Sequence, residues 1–277
     1  MRRLALTLMI VLAMPLVART VRKDMLVSTE WLDRHLGLVT VLHVGDRESY
    51  DAGHIPGAVF VDLATLVVQR DGIPNELPPV AVLEEVFRSA GVGTRDHIVV
   101  YGANPLASAR AWFTLDSLGQ GQRVSLLDGG LPKWKADACP VSFEETIVRR
   151  GTFTASLVPE TVTHLATMRE LVRLRQQVGS NLALLDTRPS PQFAEHIPGA
   201  VNVPFTKNFA ADGTLLPARD LWELYESAGV SSDSANIAYC RTGMQACVTY
   251  FVLRYLGCDA TLYDGSWSEW SAAAGQT

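Results

Sequence analysis

The sequence predicts an α/β protein made of two tandem domains, each a mainly parallel sheet flanked by helices. Three observations lead there. Apolar runs of strand length alternate with longer helical segments, the pattern of parallel sheets covered on both faces. The chain also repeats itself. Gly53-His54-Ile55-Pro56-Gly57-Ala58-Val59 returns as Glu195-His196-Ile197-Pro198-Gly199-Ala200-Val201, and Ser89-Ala90-Gly91-Val92 returns as Ser227-Ala228-Gly229-Val230. Asp128-Gly129-Gly130, four residues before Trp134, returns as Asp264-Gly265-Ser266 before Trp270. The pairs keep their order at separations of about 140 residues, which marks a duplicated domain rather than a solenoid unit. Finally, 277 residues at 48% hydrophobic and 19% charged are enough to give two domains their own cores.

Taken in order, the chain begins with Arg2-Arg3 ahead of an uncharged run from Leu4 to Ala18, a charged n-region followed by an apolar h-region. A spanning helix needs about 20 apolar residues, more than this run supplies. Residues 1–24 are therefore expected to be an export signal and leader, with no stable membrane span and a periplasmic destination; without signal function the protein would be cytoplasmic. Residues 25–140 form the first domain. Ser28 can cap a helix through Leu36, Val39–Val44 and Val59–Val61 read as strands, and residues 64–78 as a variable loop. A helix over Val80–Ala90, a strand His97–Tyr101, a helix Ser108–Leu118 and a strand Arg123–Leu127 follow. Residues 141–160, with Pro140 just before them and Pro159 within, read as a linker. In the second domain, 161–277, Thr167 and Glu170 suggest a capping box. Leu182–Leu185 is a strand, Leu221–Ala228 a helix, Ala235–Tyr239 a strand and Val248–Leu256 a helix closed by Gly257.

The chemistry is expected at Cys240, between that last strand and its helix. Backbone N–H groups at a helix start have no helical carbonyl partners, and the dipole favours an anion there, so the thiolate is expected to be more populated than in a free cysteine. Arg241 adds a cation and Gly243 an easily turned backbone. Asp186-Thr187-Arg188 ends a neighbouring strand, and sites in open α/β sheets form beyond the carboxyl ends of strands. The first copy has Gly102-Ala103-Asn104-Pro105 where the second has Cys240-Arg241-Thr242-Gly243, so it is expected to keep the fold without the nucleophile.

Composition excludes other classes. A net charge of −5 argues against nucleic-acid partners. The cysteines at 139, 240, 247 and 258 are too few and scattered for a disulfide scaffold. There is no C-x-x-C and the histidines show no ligand spacing, so neither a metal site nor a cofactor is expected. Cys139, Cys247 and Cys258 read as packing residues, with a redox role for Cys247 left open.

At this point the sequence resembles the two-domain rhodanese sulfurtransferases, whose first domain is inactive and second active. The resemblance covers about residues 25–272 and rests on both His-Ile-Pro-Gly-Ala turns, the loop Cys240–Gln245 and Asp264-Gly265-Ser266-Trp267-Ser268-Glu269-Trp270. It implies an enzyme that takes a sulfane sulfur from a small donor onto Cys240 as a persulfide and passes it to cyanide or a thiol. It implies that Arg188, Arg241 and Thr242 contact the donor. The backbone from Arg241 through Thr242, Gly243 and Met244 to Gln245 would hold the persulfide anion, with Asp186 and Trp267 supporting the pocket. Arg241 matches members that favour thiosulfate and Thr242 those that favour 3-mercaptopyruvate; thiosulfate is preferred because a retained arginine suits a sulfonate. A non-catalytic sulfur carrier is the alternative outside enzymology. A cysteine phosphatase usually needs an arginine six positions after the cysteine, and here that position is Ala246. His54 and His196 occur in both copies and read as turn residues, and Arg110 as an interdomain or helix-face charge.

Overall fold

The computed structural model describes residues 20–178, 181–231 and 234–274. The export-signal run therefore lies outside the described residues. The first domain comprises β1 (Leu26–Val27), α1 (Thr29–His35), β2 (Thr40–Gly45), α2 (Arg47–Asp51), β3 (Val59–Asp62), β4 (Val68–Arg70), β5 (Ile73–Glu76), α3 (Val80–Ser89), β6 (Ile98–Tyr101), α4 (Pro105–Ser117), β7 (Val124–Leu127) and α5 (Gly130–Ala136). The second comprises β8 (Val162–Thr163), α6 (Leu165–Val178), β9 (Leu182–Asp186), β10 (Val201–Asn202), α7 (Ala218–Glu226), β11 (Ala235–Tyr239), α8 (Met244–Tyr255), β12 (Ala260–Tyr263) and α9 (Ser266–Ala274).

Each domain has a five-stranded parallel sheet, ordered β1-β7-β6-β2-β3 in the first and β8-β12-β11-β9-β10 in the second. The orders correspond strand for strand, so the repeated motifs do come from a duplicated fold. The central strand β6, Ile98-Val99-Val100-Tyr101, is buried throughout, which is why it reads as an unbroken apolar run.

The domains join through α4 and α8. Trp112 meets Phe251 edge-on at 4.9 Å between ring centroids, and Phe113 meets Tyr250 at 5.1 Å. The Tyr250 hydroxyl donates to Asp116 Oδ2 at 2.7 Å. From Ala107 to Ser117 every residue of α4 is buried, as expected of a helix with partners all round. The segment between the domains is fastened along the first one: Ser142 pairs with His54, and the Gly151, Ser156 and Val158 N–H groups donate to the Arg88, Leu118 and Ser117 carbonyls.

Several boundaries differ from the sequence expectation, each for a local reason. Ser28 caps α1 as expected, accepting from the Trp31 N–H. α4 starts at Pro105 rather than Ser108, because Asn104 accepts the Leu106 N–H and proline suits the first helical position. α7 starts at Ala218, directly after Pro217. The capping box at Thr167 and Glu170 does not form: α6 already begins at Leu165, and Glu170 pairs with Arg173 instead. The loop 64–78 contains a hairpin, β4–β5, whose turn residues Asp71 and Gly72 sit at φ 51 and 83, as a tight hairpin with right-handed twist requires. α8 starts at Met244, four residues earlier than the apolar run suggests, and this shortens the Cys240 loop.

Candidate active site

β11 lies between β9 and β12, with Tyr239 in register with Asp186. The chain thus leaves the middle of the sheet at its carboxyl edge, where crevices form, and the next residue is Cys240. Its side chain is inside, with 1% exposure. The Cys240 N–H donates to Ser266 Oγ at 3.2 Å, and its carbonyl accepts from the Trp267 N–H at 3.0 Å. The Arg241 carbonyl accepts from the Ser268 N–H and hydroxyl, at 3.0 and 2.8 Å. The loop backbone is thereby fixed by the start of α9.

Gly243 turns the chain into α8 at φ 86, and a Cβ there would lie 2.7 Å from Asp264 Oδ1. Only glycine satisfies both the backbone angle and the space. With Met244 and Gln245 already helical, the N–H groups of Thr242, Gly243, Gln245 and Ala246 reach the Cys240 sulfur. This is a cradle of unpaired donors at a helix start, built for an anion. The expectation of a readily populated thiolate is nevertheless corrected. Burial pushes the Cys240 thiol up, and the backbone donors that pull it down do not fully offset that.

The other candidates divide. Arg241, directly after Cys240 in the loop, is exposed. Thr242 Oγ1 accepts a hydrogen bond from Asn75 Nδ2 of β5 at 3.0 Å, so the first domain's hairpin holds the second domain's loop. Met244 borders an interdomain cleft of about 310 Å³ with Asn75, Asn104 and Asp62. Asp186 is fully buried, and Arg188 grips it through Nε at 3.0 and 3.1 Å and Nη2 at 2.6 Å. Arg188 Nη2 also donates to the Glu195 carbonyl, and the guanidinium lies 4.8 Å from the Trp267 ring centroid. Trp267 and Arg188 therefore stack together against Tyr239, in a cluster apart from the one that encloses the Cys240 side chain, and the arginine's fork is largely spent on Asp186.

His54 and His196 hold their turns. His54 Nδ1 bonds the Tyr50 carbonyl and Nε2 the Glu144 carbonyl, both at 3.0 Å, while His196 Nδ1 bonds the Phe193 carbonyl at 2.9 Å. Cys247 points its thiol at the Gly243 carbonyl, 3.3 Å away, and burial pushes it up to about 12. All four cysteines are free thiols.

The first domain repeats the scaffold around Gly102. Leu131 N–H donates to the Gly102 carbonyl as Trp267 does to Cys240, and Leu215 N–H donates to Asp128 Oδ1 at 2.8 Å as Leu77 does to Asp264 Oδ2, also at 2.8 Å. A Cβ on Gly102 would lie 2.4 Å from the Val44 carbonyl. No side chain fits there with the backbone as it stands.

Arg110 is the interdomain charge expected of it, paired with Asp264, whereas Ser266, Asn75 and the choice of Asp264 as that partner escaped the sequence reading. Ser266 had a visible signal. It replaces Gly130 of the first copy, and both residues sit in the left-handed region, at φ 54 and 56. A serine retained at a glycine conformation implies that its hydroxyl has work, here the Cys240 N–H. Asn75 sits at φ 65 in a hairpin that has no strand-like alternation, so nothing in the sequence pointed to it.

Among the described residues no cluster of histidine, cysteine and carboxylate side chains could hold a metal ion, and no helix is long and apolar enough to cross a membrane. The rhodanese-like domain model matches residues 28–137 and again 167–273. The chain is 32% identical over 271 residues to a putative thiosulfate sulfurtransferase of Mycolicibacterium smegmatis, covering 92% of this chain and 97% of that one. It is equally 32% identical over 274 residues to the 3-mercaptopyruvate sulfurtransferase of Escherichia coli, covering 90% and 95%. The crystal structure of SseA from Escherichia coli superposes with a TM-score of 0.77 at 29% identity, over 88% of this chain and 98% of that one. A duplicated sheet, a cysteine cradle in the second copy and these likenesses agree: the chain belongs to the rhodanese-like family and carries two of its domains.

Proposed function

We propose that this protein is a sulfurtransferase that carries a sulfane sulfur on Cys240, with thiosulfate as the preferred donor. The observation that supports this most is the set of backbone N–H groups of Thr242, Gly243, Gln245 and Ala246 reaching one buried sulfur. After the thiol loses its proton to solvent, the Cys240 thiolate attacks the outer sulfur of thiosulfate. The S–S bond of the donor breaks, its electron pair leaves with sulfite, and a Cys240 persulfide remains. Cyanide or a small thiol then attacks the terminal sulfur, and the electron pair of the persulfide bond returns to Cys240 as thiolate, completing two-step covalent catalysis. The cradle donors hold the persulfide anion in the interval, and losing one such donor typically costs about 3 kcal/mol of transition-state stabilisation.

Arg241, exposed beside the loop, is the cation that offsets repulsion between thiolate and dianion. Arg188 contributes mainly by holding Asp186 and stacking on Trp267, and adds its charge at one remove. Thr242, its oxygen engaged by Asn75, keeps a hydroxyl proton for a carboxylate or carbonyl and supports 3-mercaptopyruvate as the second donor. A side-by-side kcat/KM measurement with both donors tests the preference. Arg241→Ala is expected to lower kcat/KM for thiosulfate at least tenfold more than for 3-mercaptopyruvate. Equal losses on both donors would remove the sulfonate contact from the account, and transfer only to a protein partner would favour the carrier reading.

Residues 1–18 are read as an export signal, giving a periplasmic enzyme. Recovery of a chain shortened at its N-terminus from the periplasmic fraction tests this; a full-length cytoplasmic product would contradict it.

A further inference from the structure

The nominally inactive first domain sends one charged side chain into the rear of the reactive loop. Arg110 of α4 is completely buried, and its Nη1 donates to Asp264 Oδ1 at 2.7 Å across the domain boundary. Its Nε makes only a long bond, 3.4 Å, to the Leu66 carbonyl, and its Nη2 has no hydrogen-bond partner. The guanidinium also lies against the Cys247 sulfur. Asp264 in turn sits directly beneath the loop: its Oδ1 is 2.7 Å from where a Cβ on Gly243 would be, and Arg110 Nη1 is 3.6 Å from the same point.

A buried carboxylate in that place opposes the reaction. The loop must carry a negative charge twice per turnover, as thiolate and as persulfide, and a like charge packed beneath it in a water-poor interior raises that cost. Asp264 is nonetheless needed, because its Oδ2 accepts the Leu77 N–H and fastens the hairpin side of the first domain onto the loop. A cation that cancels it and leaves a donor over reconciles the two demands. The first domain provides an internal comparison. Asp128 occupies the equivalent place and holds the Leu215 N–H, yet makes no ion pair among the described residues, and the loop above it has Gly102 instead of a thiol. The buried guanidinium is found only where there is a sulfur to charge.

We propose that Arg110 is a positioning residue of the sulfur-transfer site: donated by the first domain, it cancels Asp264 and sets the charge felt by the Cys240 loop. The inference rests on Cys240 being the nucleophile. The charged and titratable groups around that loop and its Asp264 are Arg241 on the loop, Cys247 on α8, Arg110 on α4, Glu269 on α9, Arg70 and Glu76 on the β4–β5 hairpin, and His164 before α6.

The test is the pH dependence of Cys240 alkylation by iodoacetamide, followed by peptide mass spectrometry so that Cys247 is scored separately. Asp264→Asn keeps the shape and an acceptor for the Leu77 N–H but leaves Arg110 uncancelled. It should lower the Cys240 midpoint by about one pH unit. Arg110→Met should raise it by about the same amount and reduce kcat/KM for thiosulfate at neutral pH about tenfold. Arg110→Lys should stay near the parent, and the double variant Arg110→Met/Asp264→Asn should return towards it. A purely structural bond would move both single variants in one direction or leave both midpoints unchanged, and either result overturns the proposal. If Arg110→Met does not fold, the downward shift demanded of Asp264→Asn still decides. The alkylation midpoint does not depend on turnover, so a failure here is separable from a failure of the nucleophile itself, which Cys240→Ser reports.

Discussion

In the proposed mechanism Cys240 must lose a proton before it can attack, and two opposing effects act on that proton. Burial pushes the thiol up, while the N–H groups of the loop and the α8 start pull it down, with burial the larger. Because the reactive form is the deprotonated one, a raised thiol leaves a small thiolate fraction at neutral pH that grows as pH rises. The expected profile of kcat/KM for thiosulfate therefore climbs close to tenfold per pH unit, roughly between pH 6 and 8. A flat profile over that range would show that the thiolate is already formed. Arg188 carries a different expectation. Both it and Asp186 are withdrawn from water, at 4% and 0% side-chain exposure, so Arg188→Ala strands a buried carboxylate. The variant should lose about 3–5 kcal/mol of stability in urea unfolding, and Arg188→Ala/Asp186→Asn should recover much of it. The candidate nucleophile stood out in the sequence because a cysteine beside Arg241 and Gly243 breaks the pattern of a core position. Its protonation was not, since sequence shows the donors of a helix start but not how deeply the fold encloses them.

Among the elements, the strand-loop-helix from β11 to α8 was readable in type and misplaced in extent. Tyr239 ends the strand where expected, but α8 begins at Met244 because Gly243 supplies the left-handed turn that lets the helix start at once. That earlier start brings the Gln245 and Ala246 N–H groups to the sulfur. α9 contributes through Ser266, whose φ of 54 costs a non-glycine residue roughly 1–2 kcal/mol. Ser266→Gly should remove that strain and the Cys240 N–H acceptor together, changing thermal stability by only a few degrees while lowering kcat several-fold. Unchanged kcat would mean that the serine does not hold the loop. The hairpin β4–β5 was illegible as structure: its residues lack alternation, and only Asp71-Gly72 marked the turn.

The two domains behave as one molecule because α4 and α8 share a continuous core. Trp112, fully buried against Phe251, should cost about 3–5 kcal/mol when replaced by alanine, and urea unfolding followed by probes in either half should give one coincident transition. Separate transitions would mean the interface is not part of the core. The duplication was legible from three short repeated motifs, and the matching strand orders follow from it. The cross-domain ties were not, because Asn75–Thr242, Leu77–Asp264 and Arg110–Asp264 join residues far apart in sequence and no periodicity records them. Of the two equivalent loops, at Gly102 and Cys240, only the second has room for a sulfur, and this gives the most direct test. Purified protein is treated with thiosulfate, the intact mass is measured, and the modified peptide is identified. The account predicts one added sulfur atom per chain, located on Cys240, removed by cyanide as thiocyanate and absent from Cys240→Ser. Thiocyanate formation by Cys240→Ser, or the sulfur found on Cys139, Cys247 or Cys258 instead, would contradict it.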